Sequence, residues 1–245
     1  MIERICWWFY RKVQGIIAPR LKYAQTIYED ILYGSVSPAD TWLDLGCGHN
    51  LLPSWRKESE RALCKVPRFI AGLDFDAPSL GKHTGITSLV RGDITQLPFK
   101  DDSLSLITSN MVFEHLADPA SGLLEIKRVL KHGGKLVFHT PNLLSYGTLG
   151  ALLIPEFLKP CIIRWLEDRR EEDVFRTYYR INTARKIRAV GQKTGFLVRI
   201  KMIMSCPQFV KFPPLLIPEL LLIRLLLTSF GRYLRANIIA TLTKP

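Results

Sequence analysis

Residues Thr41 to Asn50 read T-W-L-D-L-G-C-G-H-N. Trp42, Leu43 and Leu45 form a short apolar run around one acid, Asp44, and Gly46 and Gly48 follow it. Such a run, bounded by glycine, predicts a buried parallel strand that stops in a sharp turn and opens a helix. Glycine reaches positive φ without penalty and, lacking a Cβ, lets another molecule approach the backbone. The N–H groups that start the following helix can then meet a negatively charged group. A dinucleotide-type G-x-G-x-x-G would need glycine where Leu51 stands.

Further acids follow at strand ends. Arg68 to Asp74 reads as a second strand that ends in Asp74, with Asp76 just beyond it. A carboxylate at such an end can accept two hydrogen bonds from ribose hydroxyls. Asp74 lies thirty residues after Asp44, where about 20 beyond the turn is usual, so the surplus is assigned to a longer first helix, Leu51 to Leu63, or its loop. Ser88 to Asp93 is a third strand with its exit, followed by Ile94. Pro98, Asp101 and Asp102 mark a turn, and Leu104, Leu106 and Ile107 begin strand four, which ends at Ser109-Asn110-Met111. Val112 to Leu116 comes next. Ala117 to Leu130 is predicted as a helix with Leu123, Leu124, Ile126, Val129 and Leu130 on its core side. His132 to Gly134 reads as a turn, and Lys135 to Thr140 as strand five, ended by Pro141 and Asn142.

In this order the segments resemble the class I S-adenosylmethionine-dependent methyltransferases, of the type 11/12 group and similar to the ubiquinone-type O-methyltransferases. Asp44, Gly46 and Gly48 match motif I, D-x-G-x-G, with Asn50 where a third glycine is frequent. Gln96 to Ile107 resembles L-P-F-x-D-x-S-F-D-x-I, with Ser105 in place of an Asp. Glu114-His115-Leu116 and V-L-K-H-G-G-K-L-V-F, ending at Phe138, are also similar to the family.

The resemblance covers about Thr41 to Asn142. It implies an α/β fold: a Rossmann-like, seven-stranded, mostly parallel sheet with helices on both faces, helical insertions and an antiparallel last strand. It implies S-adenosylmethionine as cofactor. Asp44 and the glycine turn would hold its methionine part, Asp74 its ribose and Asp93 its adenine amino group, with Ile94 flanking the ring. Asn110 to His115 would face the methyl group. Transfer is an in-line displacement in which the protein aligns the partners and excludes water. His115 is the candidate general base; Glu114 is a candidate contact to substrate or loop. His139 also points to that edge, and His49 reads as a turn residue. No metal-ligand cluster is visible.

Outside the motif region, charge is uneven. The net charge is +12, and Thr183 to Pro245 carries eleven Lys or Arg against one acid, Glu219. This predicts an acidic partner: an anionic membrane surface, nucleic acid or a phosphorylated substrate. Trp7 to Tyr10, flanked by Arg4, Arg11 and Lys12, suit a membrane interface or a covering arm. Leu215 to Phe230 is rich in leucine, but Pro218, Glu219 and Arg224 interrupt it, which argues against a membrane span. Arg224, Thr228, Arg232 and Arg235 fall at helical spacing and predict one polar stripe. In the insertion after strand five, Arg164 to Asp173 is a charged patch. There Phe175, Tyr178 and Tyr179 could wall a pocket, and Arg176 or Arg180 could bind an anion.

Five scattered cysteines without a C-x-x-C pair suit a reducing cytosol. The chain reads as one domain: a helical arm (1–40), a cofactor core (41–142), a substrate-covering insertion (143–182) and a basic part completing the sheet (183–245), with strand seven at Asn237 to Thr243. The expected reaction is O-methylation of a small or lipid-linked acceptor such as a sugar or an isoprenoid quinone. A nucleic-acid acceptor is disfavoured because no N-P-P-Y or D-P-P-Y follows strand four; a non-catalytic regulator that binds the same cofactor stays open.

Overall fold

A computed structural model of the chain describes residues 2–153 and 176–245. The patch Arg164 to Asp173 and Phe175 lie outside the described residues. In chain order the main elements are α1 (Ile2–Ile17), α2 (Ala24–Ser35), β1 (Thr41–Leu45), α3 (Lys57–Leu63), β2 (Phe69–Asp74), α4 (Ala77–Gly81), β3 (Ser88–Arg91) and β4 (Leu104–Asn110). They continue with α5 (Pro119–Val129), β5 (Leu130–Pro141), α6 (Tyr146–Leu153), α7 (Ala184–Lys193), β6 (Leu197–Ile203), α8 (Pro213–Leu226) and β7 (Asn237–Thr243). Interleaved segments make two compact units: 28–140, 177–201 and 239–245 form one, and 1–27, 141–176 and 202–238 the other. We call them the sheet unit and the helical unit.

The seven strands are ordered β3-β2-β1-β4-β5-β7-β6. The five strands from β3 to β5 are parallel to their neighbours. β7 runs against β5: Gly133 pairs with Lys244 at one end, N–H to O 2.9 Å, and Asn142 with Ala236 at the other, 2.8 Å. Parallel strands covered on both faces must be apolar throughout. Trp42, Leu43, Leu45 and Ile107 are accordingly sealed from water.

Several local expectations are corrected. Helix α3 covers only the last part of the stretch 51–63. Pro53 precedes a single 3-10 turn, and Leu51 and Leu52 are buried without being helical. Helix α5 starts at Pro119, because the Asp118 side chain caps it on the N–H groups of Ala120 and Ser121. Leu124 faces solvent, and Leu130 already belongs to β5. His132 to Gly134 is not a turn between elements; β5 runs through it as a bulge, with Gly133 at φ 76° and the β4 register shifted there.

In the helical unit, Phe9, Tyr10, Val13 and Ile17 of α1 share a core with Leu216, Leu220, Ile223 and Leu226 of α8. Helix α8 stops at Leu226, so Arg224, Thr228, Arg232 and Arg235 form no helical stripe. Arg235 instead turns back, and its guanidinium donates to the Leu226 carbonyl at 3.0 Å and the Leu227 carbonyl at 2.9 Å, closing the helix end. Glu219 points inward. It accepts from the Tyr146 hydroxyl at 2.7 Å and from the N–H groups of Gln208 and Phe209 at 2.8 and 2.9 Å. Among the described residues no helix is long and apolar enough to cross a membrane.

Replacing Glu219 with Leu strands two backbone donors and a buried phenol. It is expected to cost about 2–4 kcal/mol in chemical denaturation, while Glu219→Gln, which keeps an acceptor oxygen, should cost clearly less.

Candidate functional site

All the groups described here lie in the sheet unit. The glycine turn after β1 is locked to β2, because the N–H groups of Gly46 and Cys47 converge on the Leu73 carbonyl at 2.7 and 3.2 Å. The two glycines do different work. Gly46 has φ 65°, and a Cβ there would lie 2.3 Å from a methyl of Val112. Gly48 has φ 52° with nothing within 4 Å of where a Cβ would stand. The first glycine therefore serves packing, and the second leaves an open backbone cradle. Between them Cys47 is buried, its sulfur filling the space over Gly72.

Asp74 closes the cradle from β2. Its carboxylate accepts from Gly48 N–H at 2.8 Å and from Asp76 N–H at 2.9 Å, one on each oxygen. Each oxygen keeps a further lone pair, enough to receive a diol. Asp76, the neighbouring acid, uses its side chain to cap α4 at Ser79 N–H. Beyond β3, Asp93 is exposed and accepts from both the backbone N–H and the hydroxyl of Thr95 at 2.8 Å. Ile94 beside it is buried. His49 lies exposed on the turn.

The third carboxyl, Asp44, sits deeper. The Trp42 indole donates to the Thr108 hydroxyl at 2.7 Å, and that hydroxyl donates to Asp44. Burial pushes the Asp44 pKa up to about 7; the Thr108 bond opposes this, and the charges of Glu60 and Asp74 add to it. Tyr28 of α2, fully buried, places its phenol beside Thr108 and Asp44 without a well-formed hydrogen bond. Its ring stacks on His139 at 5.5 Å.

His139 pairs in register with Asn110, and its Nδ1 lies 2.9 Å from the Asn110 amide oxygen. If that oxygen accepts from Nδ1–H, the lone pair is on Nε2, which is buried and has no hydrogen-bond partner among the described residues. Burial lowers the His139 pKa to about 4, so the ring is neutral. Sequence reasoning missed Tyr28, whose spacing with Ala24 and Leu32 reads only as the core face of a helix.

Glu114 and His115 lie on a 3-10 turn after β4. Glu114 is buried; its side chain accepts from the Thr140 hydroxyl at 2.9 Å, and its carbonyl accepts from Tyr178 N–H at 2.8 Å and Tyr179 N–H at 3.1 Å. Asn182 donates to the same Thr140 hydroxyl at 2.7 Å. Glu114 thus ties the 178–182 stretch to the sheet, and Tyr178 and Tyr179 lie beside it through their backbone. His115 is partly exposed, with its N–H on the Val112 carbonyl.

A family described as a methyltransferase domain matches residues 43–138. A demethylmenaquinone methyltransferase of Mycobacterium sp. (strain KMS) is 32% identical over 117 residues, 46% of this chain and 48% of that protein. Malonyl-[acyl-carrier protein] O-methyltransferase 1 of Coxiella burnetii (strain RSA 493 / Nine Mile phase I) is 41% identical over 71 residues, 29% of this chain and 24% of its own. The chain spans at most about half the length of these curated relatives. In fold it is similar to the crystal structure of a SAM-dependent methyltransferase from Archaeoglobus fulgidus, with a TM-score of 0.56 at 16% identity, covering 97% of this chain and 99% of that one.

Because Asp44 ionises near pH 7 when folded and near 3.8 ordinarily, charging it opposes folding. Stability is fully present below the ordinary value, falls as pH rises toward 7, and levels off above it. Asp44→Asn is therefore expected to be more stable than wild type at pH 8 by roughly 2–4 kcal/mol, with a higher melting temperature, and to differ little at pH 4. Thermal melts of the ligand-free protein across this range check it.

Proposed function

We propose that the chain uses its class I S-adenosylmethionine-dependent methyltransferase domain, residues 43–138, to pass a methyl group to an oxygen of a small or lipid-linked acceptor. The observation that carries this reading is the open backbone at Gly48 held by the Asp74 carboxylate, with Asp44 on one strand beside β2 and Asp93 just past the other. Ligands of open α/β sheets bind outside such strand ends. The acceptor groups fit the cofactor. Asp44 offers a carboxylate to an α-ammonium, Asp74 has lone pairs for a ribose diol, Asp93 takes an adenine amino group, and Ile94 flanks the ring.

When bound, S-adenosylmethionine supplies a methyl group on an electrophilic sulfonium. The chain's own groups then align and desolvate the acceptor. Asn110 holds the buried His139 ring through Nδ1. His115, partly exposed on the 3-10 turn, takes the proton of an acceptor hydroxyl. Glu114 works as a positioning residue that holds Tyr178 and Tyr179 in place. The quinone and acyl-carrier relatives support an acceptor of small or lipid-linked kind.

Calorimetry with S-adenosylmethionine and with its demethylated product tests the site. Both should bind, and Asp74→Ala should weaken them tenfold to a hundredfold, the range for losing hydrogen bonds to a charged group. Absence of heat with the folded wild type removes the reading. Methyl-labelled cofactor added to a host extract should then mark the lipid or small-molecule fraction; label found only in RNA would move the acceptor to nucleic acid. With an acceptor in hand, His115→Gln should lower kcat far more than KM, leaving cofactor affinity unchanged.

A further inference from the structure

The helical unit carries chemistry that methyl transfer does not use. Helix α8 is apolar on both sides. Leu216, Leu220, Ile223 and Leu226 are buried in the core shared with α1, yet Leu215, Ile217, Leu221, Leu222 and Leu225 are between 38% and 59% exposed. A helix apolar all round belongs in a protein core or in lipid, and a contiguous exposed patch of this kind marks an interaction surface. Just past the helix end, Phe230 is 97% exposed. Arg232 and Tyr233 follow, the guanidinium lying 4.6 Å from the ring centre. On α1, opposite its core face, Trp8 is 62% exposed. It stands among Arg4, Arg11 and Lys12 at spacings of three and four residues, so these side chains are neighbours.

Charge decides what covers this unit. Its described residues hold ten Lys and Arg against two acids, Glu3 and Glu219, and Glu219 is buried and hydrogen-bonded. A second copy docking symmetrically through this face would set its arginines and lysines against their own kind, and among the described residues Glu3 is the one acid besides the engaged Glu219. Nucleic acid would use the cations but find no use for a row of leucines. A lipid surface uses both. Apolar side chains enter the acyl boundary, Trp and Tyr rings sit at headgroup level, and Lys and Arg meet anionic phosphates.

We infer that the helical unit docks on an anionic membrane surface through the outer leucines of α8 and Phe230, with the surrounding arginines and lysines and Trp8 at the headgroups. The contact is peripheral and independent of the cofactor site.

Vesicle flotation of the full chain tests this without cofactor or acceptor. The protein is expected to float with phosphatidylcholine vesicles that contain phosphatidylglycerol and to stay behind with phosphatidylcholine alone, with salt weakening the contact. The double substitution Leu221→Glu and Leu225→Glu, on the solvent side of α8, should abolish flotation while melting temperature and S-adenosylmethionine affinity stay as in wild type. Arg224→Gln and Arg232→Gln should each weaken vesicle binding about fivefold. Failure to float at low salt overturns the inference, as does undiminished flotation of the double variant. A dimer in light scattering that the double variant splits would give the face to a second copy instead. RNA binding that the double variant leaves untouched, without flotation, would give the cations to nucleic acid.

Discussion

Strand β1 lies between β2 and β4, and that pairing decides where every group of the site can be. Its register sets Asp44 opposite Gly72 on one side and Thr108 on the other. The side without a side chain lets the Cys47 sulfur pack down; the side with a hydroxyl lets Asp44 be buried with a donor. The same pairing brings the Leu73 carbonyl under two N–H groups of the glycine turn. A one-residue slip would send Asp44 to the other face of the sheet and break the turn. The position of the acids is thus a property of backbone hydrogen bonding before it is a property of the acids.

How much of this was legible in the sequence follows from how local each cause is. The last strand, Asn237–Thr243, was read to the residue, and the first as the apolar run Trp42 to Leu45 that stops at the glycine turn, since short β-rich runs between breakers leave few alternatives. The seven-stranded, mostly parallel sheet was also read correctly, from motif order. The stretch after the glycine turn was not, because Leu51 and Leu52 look helical by hydrophobicity yet are held by tertiary burial. Gly133 looked like a turn because glycine pairs usually are; here its positive φ only bulges a strand that β7 continues to hold. Arg235 looked like part of a helical stripe, but its partners are carbonyls at the helix end, which spacing cannot reveal. At the candidate site, Asp44, Asp74 and Asp93 could be picked out by position. The desolvation of Asp44 and the Tyr28–His139 stack could not, since both depend on what α2 lays over the strands.

The two units solve opposite problems. In the sheet unit polar groups have been brought inside and given partners, as with Glu114 on Thr140 and Lys244 on the Leu130 carbonyl. In the helical unit the interior is conventional, and the anomaly is on the outside of α8. An apolar exterior on a helix that already has an apolar interior cannot come from folding alone, since exposure of those leucines contributes nothing to the core.

Cys47 sits inside the glycine turn, at the edge where, in the proposed reaction, an electrophilic carbon is presented. A thiolate there would be a stronger nucleophile than any alcohol and would capture such a carbon for itself. Burial, reinforced by the charges of Asp44 and Asp74, pushes this thiol well above its ordinary range, so it remains S–H and unreactive. In the proposed reaction, burial, with Asp44 and Asp74 adding to it, thus keeps the polypeptide from alkylating itself.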